Sequence, residues 1–270
     1  MKKHLINLMI AVMPAVLFIS CSGGKKEVSN EEKKQEIEEF VEKEFTYPIP
    51  TSFEVTQMLN NAKTAFNSEI VNDPKKADQY VTTWQKATNL GVYGADLSYA
   101  ATFDKTQETI DFLDVSKKLI DDLNISTAFN ENMAERIEGS MENIDSLIYI
   151  ISESFYDTYN YLNQNGEEKT SILVIAGSVI EGLYLTTELV KMSENKAELM
   201  DVLGNQKAQV TKLVELMEKF QDDTNVAKVL PDLRYIDLVF DQLGDDGKMT
   251  EGQFGDVSKS VQSMRSRIVS

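Results

Sequence analysis

Val210, Leu213, Val214, Met217 and Phe220 are spaced by threes and fours along the chain. That period lines them up on one face of an α-helix. Ile110, Leu113, Ile120 and Leu123 form a second such stripe, with Phe112 and Leu119 beside it. No stretch alternates apolar and polar residues between glycine-closed turns, so the sequence offers no sheet. A chain of this kind buries its stripes by packing helix on helix.

Prolines and short polar connectors divide the helices. Pro48 and Pro50 end an acidic helix, and Thr51 or Ser52 can cap the next. Asn72-Asp73-Pro74 reads as a turn with proline opening a helix. Pro231 starts another, after a short helical turn near Asn225. The spacing predicts helices over 31–45, 52–71, 74–102, 104–123, 127–138, 141–164, 168–192, 194–222, 231–243 and 251–267. Connectors such as Asn163-Gln164-Asn165-Gly166 are short enough to make successive helices antiparallel. The expectation is an all-α fold of about nine to ten helices, an antiparallel array of helical hairpins or a bundle.

Residues 89–123 resemble one tetratricopeptide hairpin. Leu90-Gly91 falls in its first helix, Tyr99-Ala100 near its end, and Thr106, Ile110 and Leu113 line the second. The halves stand about three residues further apart than in that repeat, no closing proline follows, and no second copy lies at an offset of about 34. A right-handed superhelix of the tetratricopeptide type is one form such an array takes.

The start of the chain reads as an address. Met1, Lys2, Lys3 and His4 precede residues 5–20, which are apolar apart from Asn7 and Ser20. Sixteen residues are short against the roughly 20 a spanning helix needs and suit a signal-peptide core. Leu17-Phe18-Ile19-Ser20-Cys21 resembles a bacterial lipobox, which implies an acylated Cys21 as the mature N-terminus. Phe18 and Ile19 depart from its usual residues. The expected organisation is a signal over 1–20, a flexible tether over 21–35 and one all-helical domain over 36–270. A tether of that length reaches about 20 Å. Ser29 and Glu32 fit a capping box within it.

Removing residues 1–20 would leave 270 − 20 = 250 residues and, without Lys2 and Lys3, a net charge of −17 − 2 = −19. The remaining chain would hold no histidine, and its one cysteine would be lipidated. Serine or cysteine nucleophiles with an imidazole base then have no base. Zinc and copper have no imidazole or thiolate ligands. The sequence therefore predicts no metal and no cofactor. Four arginines against an acidic excess argue against nucleic acid. The same excess repels anionic lipid, so the expected membrane contact is the lipid on Cys21.

The segments Gly91-Val92-Tyr93-Gly94-Ala95-Asp96-Leu97, Glu153-Ser154-Phe155-Tyr156-Asp157-Thr158-Tyr159 and Ala176-Gly177-Ser178-Val179-Ile180-Glu181-Gly182-Leu183-Tyr184-Leu185 carry a wider resemblance. They are similar to all-helical lipoproteins of the Bacteroidota envelope, and the likeness covers most of the helical body. It implies a location and a fold, and brings no activity or catalytic residues. With Ser-Gly-Gly-Lys-Lys after Cys21 rather than acids, the expected place is the outer membrane, facing the periplasm.

Four constellations could carry function. Tyr93, Asp96 and Tyr99 step by threes among Gly91, Gly94 and Ala95. They line a ligand site or brace a neighbouring helix. Residues 171–190 form an almost wholly apolar run with Glu181 near its centre. A charge there disfavours a membrane span and suggests a core helix, with Glu181 bonded to a tyrosine or an arginine or aimed at a ligand. Tyr149, Phe155, Tyr156, Tyr159 and Tyr161 share one helix, as pocket lining or as packing. Residues 241–251 hint at a calcium loop, but with Gly247 sixth the end ligands would be Gln242 and Gln253. A turn ahead of a Thr250–Gln253 capping box accounts for them better.

These features favour a lipid-anchored, non-catalytic binding or scaffolding module with an envelope protein or peptide as partner. The alternative is a small-ligand receptor lined by Tyr93, Asp96, Tyr99, Tyr156, Tyr159 and Glu181. A third is a hydrolase built on the Asp96 and Glu181 carboxyls.

Overall fold

The computed structural model describes residues 64–125, 131–244 and 247–270. The signal segment, Cys21, the tether, its capping box and the helix expected over 31–45 lie outside those residues. The described chain is all-helical and has no strand. Its nine α-helices are α1 (Thr83–Thr102), α2 (Thr106–Asp122), α3 (Glu131–Gly139), α4 (Ile144–Gln164), α5 (Glu168–Met192), α6 (Lys196–Asn205), α7 (Lys207–Glu218), α8 (Leu230–Phe240) and α9 (Glu251–Ile268). Two short 3-10 turns, Pro74–Gln79 and Val226–Lys228, join them.

Local chemistry sets several boundaries. Asp73 caps the Pro74 turn through the Lys75 amide. Thr82 and Gln85 make a reciprocal capping box at the start of α1, and Thr250 and Gln253 repeat it for α9. Asn124 closes α2 with a φ of 59°, a left-handed step that asparagine tolerates. Buried hydroxyls bond back to their own helices, as Ser98 does to the Gly94 carbonyl and Thr158 to that of Ser154.

Three expected helices are corrected. The helix over 74–102 is broken at residues 80–82, where Tyr80 is extended and sends its ring into the core. The helix over 194–222 is divided at Gln206 and ends at Glu218. The buried Gln206 side chain turns toward Thr186 of α5, and its amide bonds three residues back, to Leu203. The part of the 52–71 helix that is described, from 64 onward, is a non-helical strap. Side chains of α1 take its backbone groups instead: the Asn67 amide reaches the Tyr99 hydroxyl at 3.2 Å and the Asn72 amide reaches Asp96 at 3.0 Å.

Helices α1 and α5 are the packed centre. α2 and α4 lie against α1, and α4, α6, α7 and α9 lie against α5. Two glycines make the central pair unusually close. A methyl group on Gly91 would stand 2.0 Å from the Val174 carbonyl oxygen, and one on Gly177 would stand 1.9 Å from that of Thr88. The backbones touch where side chains would hold them apart.

α5 is long and apolar enough to cross a membrane, yet 72% of its apolar window is buried inside the body. Ile180, Leu183 and Leu189 are completely covered, each stabilising the fold by about 1.5–3 kcal/mol relative to exposure. α9 closes the core with Val257, Val261, Met264 and Ile268 on its inner face. The strap, α1, α5 and α9 thus meet, and polar side chains fill the junction.

Candidate functional site

Glu181, midway along α5, has no exposed surface. Arg265 of α9 meets it with two hydrogen bonds, Nε to Oε2 and Nη2 to Oε1, each 3.0 Å. The guanidinium also donates to the Ile70 carbonyl at 3.4 Å and lies 4.4 Å from the Tyr184 ring centre. Tyr184 stands three residues after Glu181, one helical turn away, and so covers the outer side of the pair.

Asp96 of α1, also fully buried, lies within hydrogen-bond reach of Glu181. Its Oδ2 accepts the Asn72 amide, while its Oδ1 has no donor beside it. The Asn72 side chain donates to the Tyr80 hydroxyl at 3.0 Å and to Asn89 at 3.4 Å. Asn89 in turn donates to the Ile268 carbonyl at 2.8 Å, near the end of α9. Tyr93 donates to the Asp73 carbonyl at 2.9 Å. Lys76 donates to the Val269 carbonyl at 3.1 Å.

Electrostatics follow from this burial. Desolvation pushes the Asp96 carboxyl well above the usual carboxylate range, and the neighbouring Glu181 charge pushes it further. Desolvation also raises Glu181, with Arg265 pulling the other way. Desolvation weakens the Arg265 cation, but Glu181 more than offsets this and keeps it protonated. Burial raises the Tyr80, Tyr93 and Tyr99 hydroxyls, so all three act as neutral donors and acceptors.

Four of the six sequence candidates therefore meet in or beside one buried network: Tyr93, Asp96, Tyr99 and Glu181. They hold the strap and α9 in place. Of the two partners sequence reasoning left open for Glu181, the structure supplies the arginine. The other two candidates, Tyr156 and Tyr159, are half-buried on α4 and make contacts of their own there. Phe155 beside them puts its ring tip where a Gly94 side chain would be.

A half-open apolar pocket lies between α1, α2, α3, α4 and α5, among Leu90, Leu97, Leu113, Ile120, Phe155 and Val174. Its volume is about 30 Å³, which is room for about one water. A small-molecule site occupies roughly 300–1,000 Å³. None of the six candidates lines it.

Sequence reasoning missed Arg265, Asn72, Tyr80 and Asn89. Arg265 adjoins Met264 on the buried stripe of α9, and that position is the signal that could have found it. Among the described residues no group of three or more acids, histidines or cysteines is placed to hold a metal ion.

Comparison with protein-family models, with curated proteins and with solved structures found no match to the chain.

Proposed function

We propose that this chain is the body of a lipid-anchored bacterial envelope protein, held through Cys21 at the outer membrane and facing the periplasm. In this reading it is a non-catalytic docking module for a protein segment. The observation that carries the docking reading is an outward apolar stripe on α8. Pro231, Tyr235 and Leu238 are all exposed and fall at i, i+4 and i+7, on one side of that helix. Tyr235 keeps 48% and Leu238 61% of its surface in solvent, a linear set of anchors of the kind that seat a peptide or helix.

The surroundings favour a partner with apolar anchors and a basic rim. Arg234 is already paired with Glu218, and Arg267 with Asp232. The chain as a whole carries 44 acids against 27 bases, a field that steers cations toward it. The acids themselves support a non-catalytic reading. Asp96 and Glu181 are both wholly buried in the core, and Glu181 is taken up by the Arg265 fork. A hydrolase pair instead stands about 5–10 Å apart across a cleft, with room for substrate or water.

The test is site-specific photocrosslinking of the full-length, lipidated protein in intact envelopes. A photoreactive residue replaces Tyr235 or Leu238, with exposed Lys259 on α9 as the control position. The expected result is one adduct shared by positions 235 and 238, absent at 259, and formed with a protein whose crosslinked peptide is basic. Equal labelling at 259, or none at 235 and 238, overturns the docking face. Separately, Cys21→Ser should abolish fatty-acid labelling and free the protein from the membrane fraction. If it does neither, the anchor reading falls.

A further inference from the structure

Two fully buried carboxyls and one largely buried guanidinium lie together at the junction of α1, α5 and α9. With every group ionised, the cluster would carry one uncompensated negative charge in the core. An isolated buried charge is far too costly to persist, and such a group takes up a proton instead. The hydrogen bonds show which group does so. Glu181 receives both donors of the Arg265 fork, as an ionised carboxylate does. Asp96 receives one backbone amide on Oδ2, and its Oδ1 meets no donor. A proton on Oδ1, donated to Glu181, satisfies that atom and brings the cluster to neutrality.

Among the described residues, Asp73 of the strap and Glu188 of α5 act on the tyrosines around this proton, and α6 and α7 turn only uncharged side chains inward. Tyr80 comes from beyond the strap, Tyr93 and Tyr99 from α1, Tyr184 from α5 and Arg265 from α9. α2 turns only uncharged side chains inward, Thr109, Phe112, Leu113 and Leu119 among them. On α4, Glu153 is paired with Arg136, and Asp157 lies beside both. Arg265 is thus the cation that faces the two acids.

We propose that Asp96 and Glu181 share a single proton, and that this proton is a clasp that holds the 67–73 strap onto the body and lets it go as the surroundings become more alkaline. The acids, Arg265 and the α1 tyrosines beside them fix the strap at four points: the Asn67 amide on Tyr99, the Ile70 carbonyl on Arg265, the Asn72 amide on Asp96 and the Asp73 carbonyl on Tyr93. When the strap lifts, Asp96 loses its amide donor and gains water. Its carboxyl then ionises as an ordinary aspartate does, so opening and proton release are one linked step. The equilibrium constant for opening should then rise about tenfold for each pH unit, as linkage to one proton requires. The inference stands apart from the docking reading, because it uses no surface residue.

The experiment is hydrogen exchange of the full chain between pH 5 and 8, followed on a peptide covering the strap and corrected for intrinsic exchange. The expected result is strap opening that increases about tenfold per pH unit in the native protein and stays flat in Asp96→Asn, which cannot ionise. A flat native profile, or the same slope in both, overturns the clasp. Infrared spectroscopy of the native protein, with carboxyl-labelled aspartate, covers the case in which the variant does not fold. A protonated aspartate carboxyl at pH 7 supports the proposal. Complete ionisation of the aspartates at that pH overturns it.

Discussion

Arg265 and Glu181, 84 positions apart in the chain, face each other as a planar fork on a carboxylate. The acid is wholly buried and the arginine side chain keeps only 13% of its surface in solvent. This contact makes the last helix part of the core. It also explains why an almost wholly apolar helix tolerates a charge at its centre. Neither residue is affordable alone, because each is the other's replacement for water.

Removing one partner should therefore cost far more than removing both. Arg265→Ala leaves Glu181 buried and unpaired, and should destabilise the fold by about 3–5 kcal/mol. The double variant Glu181→Gln with Arg265→Met keeps the volume and removes both charges. It should recover a large part of that loss. Urea unfolding of the three proteins checks this, and a double variant no more stable than Arg265→Ala would contradict the account.

The capping box at the start of α9 should be felt first in the turns beside it. Thr250 accepts the Gln253 amide, and the Gln253 side chain accepts the Thr250 amide at 2.9 Å. Thr250→Ala removes half of this arrangement and should cost about 1 kcal/mol. Amide exchange in residues 251–256 should rise first. The Arg265 end of the helix should follow only under stronger denaturing conditions.

Much of this architecture was legible because it is periodic. The stripes of α2 and α7, the Thr250–Gln253 cap of α9 and the proline in the first turn of α8 act within a few residues of themselves. The breaks at Tyr80 and Gln206 were not legible in that way. Each is made by a side chain bonding outside its own segment, Tyr80 with Asn72 and Gln206 with Thr186. The buried cluster shows the same division. Asp96 and Glu181 stood out as acids among apolar neighbours, and Tyr93 and Tyr99 by their spacing. Their destination depended on Asn72, Asn89 and Arg265, which arrive from three different segments. Spacing along a chain finds a helix face, but it does not find what packs on that face.

The Asp96 carboxyl sets the sign of a pH dependence. In the unfolded chain it ionises near pH 4. In the fold, burial and the adjacent Glu181 hold it protonated well above that value. Between the two values the native state binds the extra proton, so stability falls as pH rises, by up to about 1.4 kcal/mol per unit. This contribution is fully present below about pH 4 and is lost as pH passes through the folded value. Other acids titrate as well, so the useful quantity is a difference. The gap in unfolding free energy between the native protein and Asp96→Asn should shift steadily in favour of the variant from pH 5 to pH 7. A constant gap would mean that Asp96 is ionised throughout.

Glycines on the central helices provide a contrast within one element. At Gly177, a methyl group would press on the Thr88 carbonyl at 1.9 Å, and at Gly91 on that of Val174 at 2.0 Å. Both obstacles are backbone, so α1 and α5 would have to move apart. Each alanine substitution should cost about 1–3 kcal/mol or more, as overpacking of a rigid contact does. Gly182 is five residues further along α5, and a methyl group there meets nothing within 4 Å. Without a clash, the ordinary preference of helices for alanine decides, so Gly182→Ala should stabilise by about 0.5–1 kcal/mol. Thermal melts of the three variants separate the two effects. If Gly91→Ala and Gly177→Ala melt at or above the native temperature, α1 and α5 do not make backbone contact at these glycines. If Gly182→Ala also falls, its position on α5 is covered by another part of the chain.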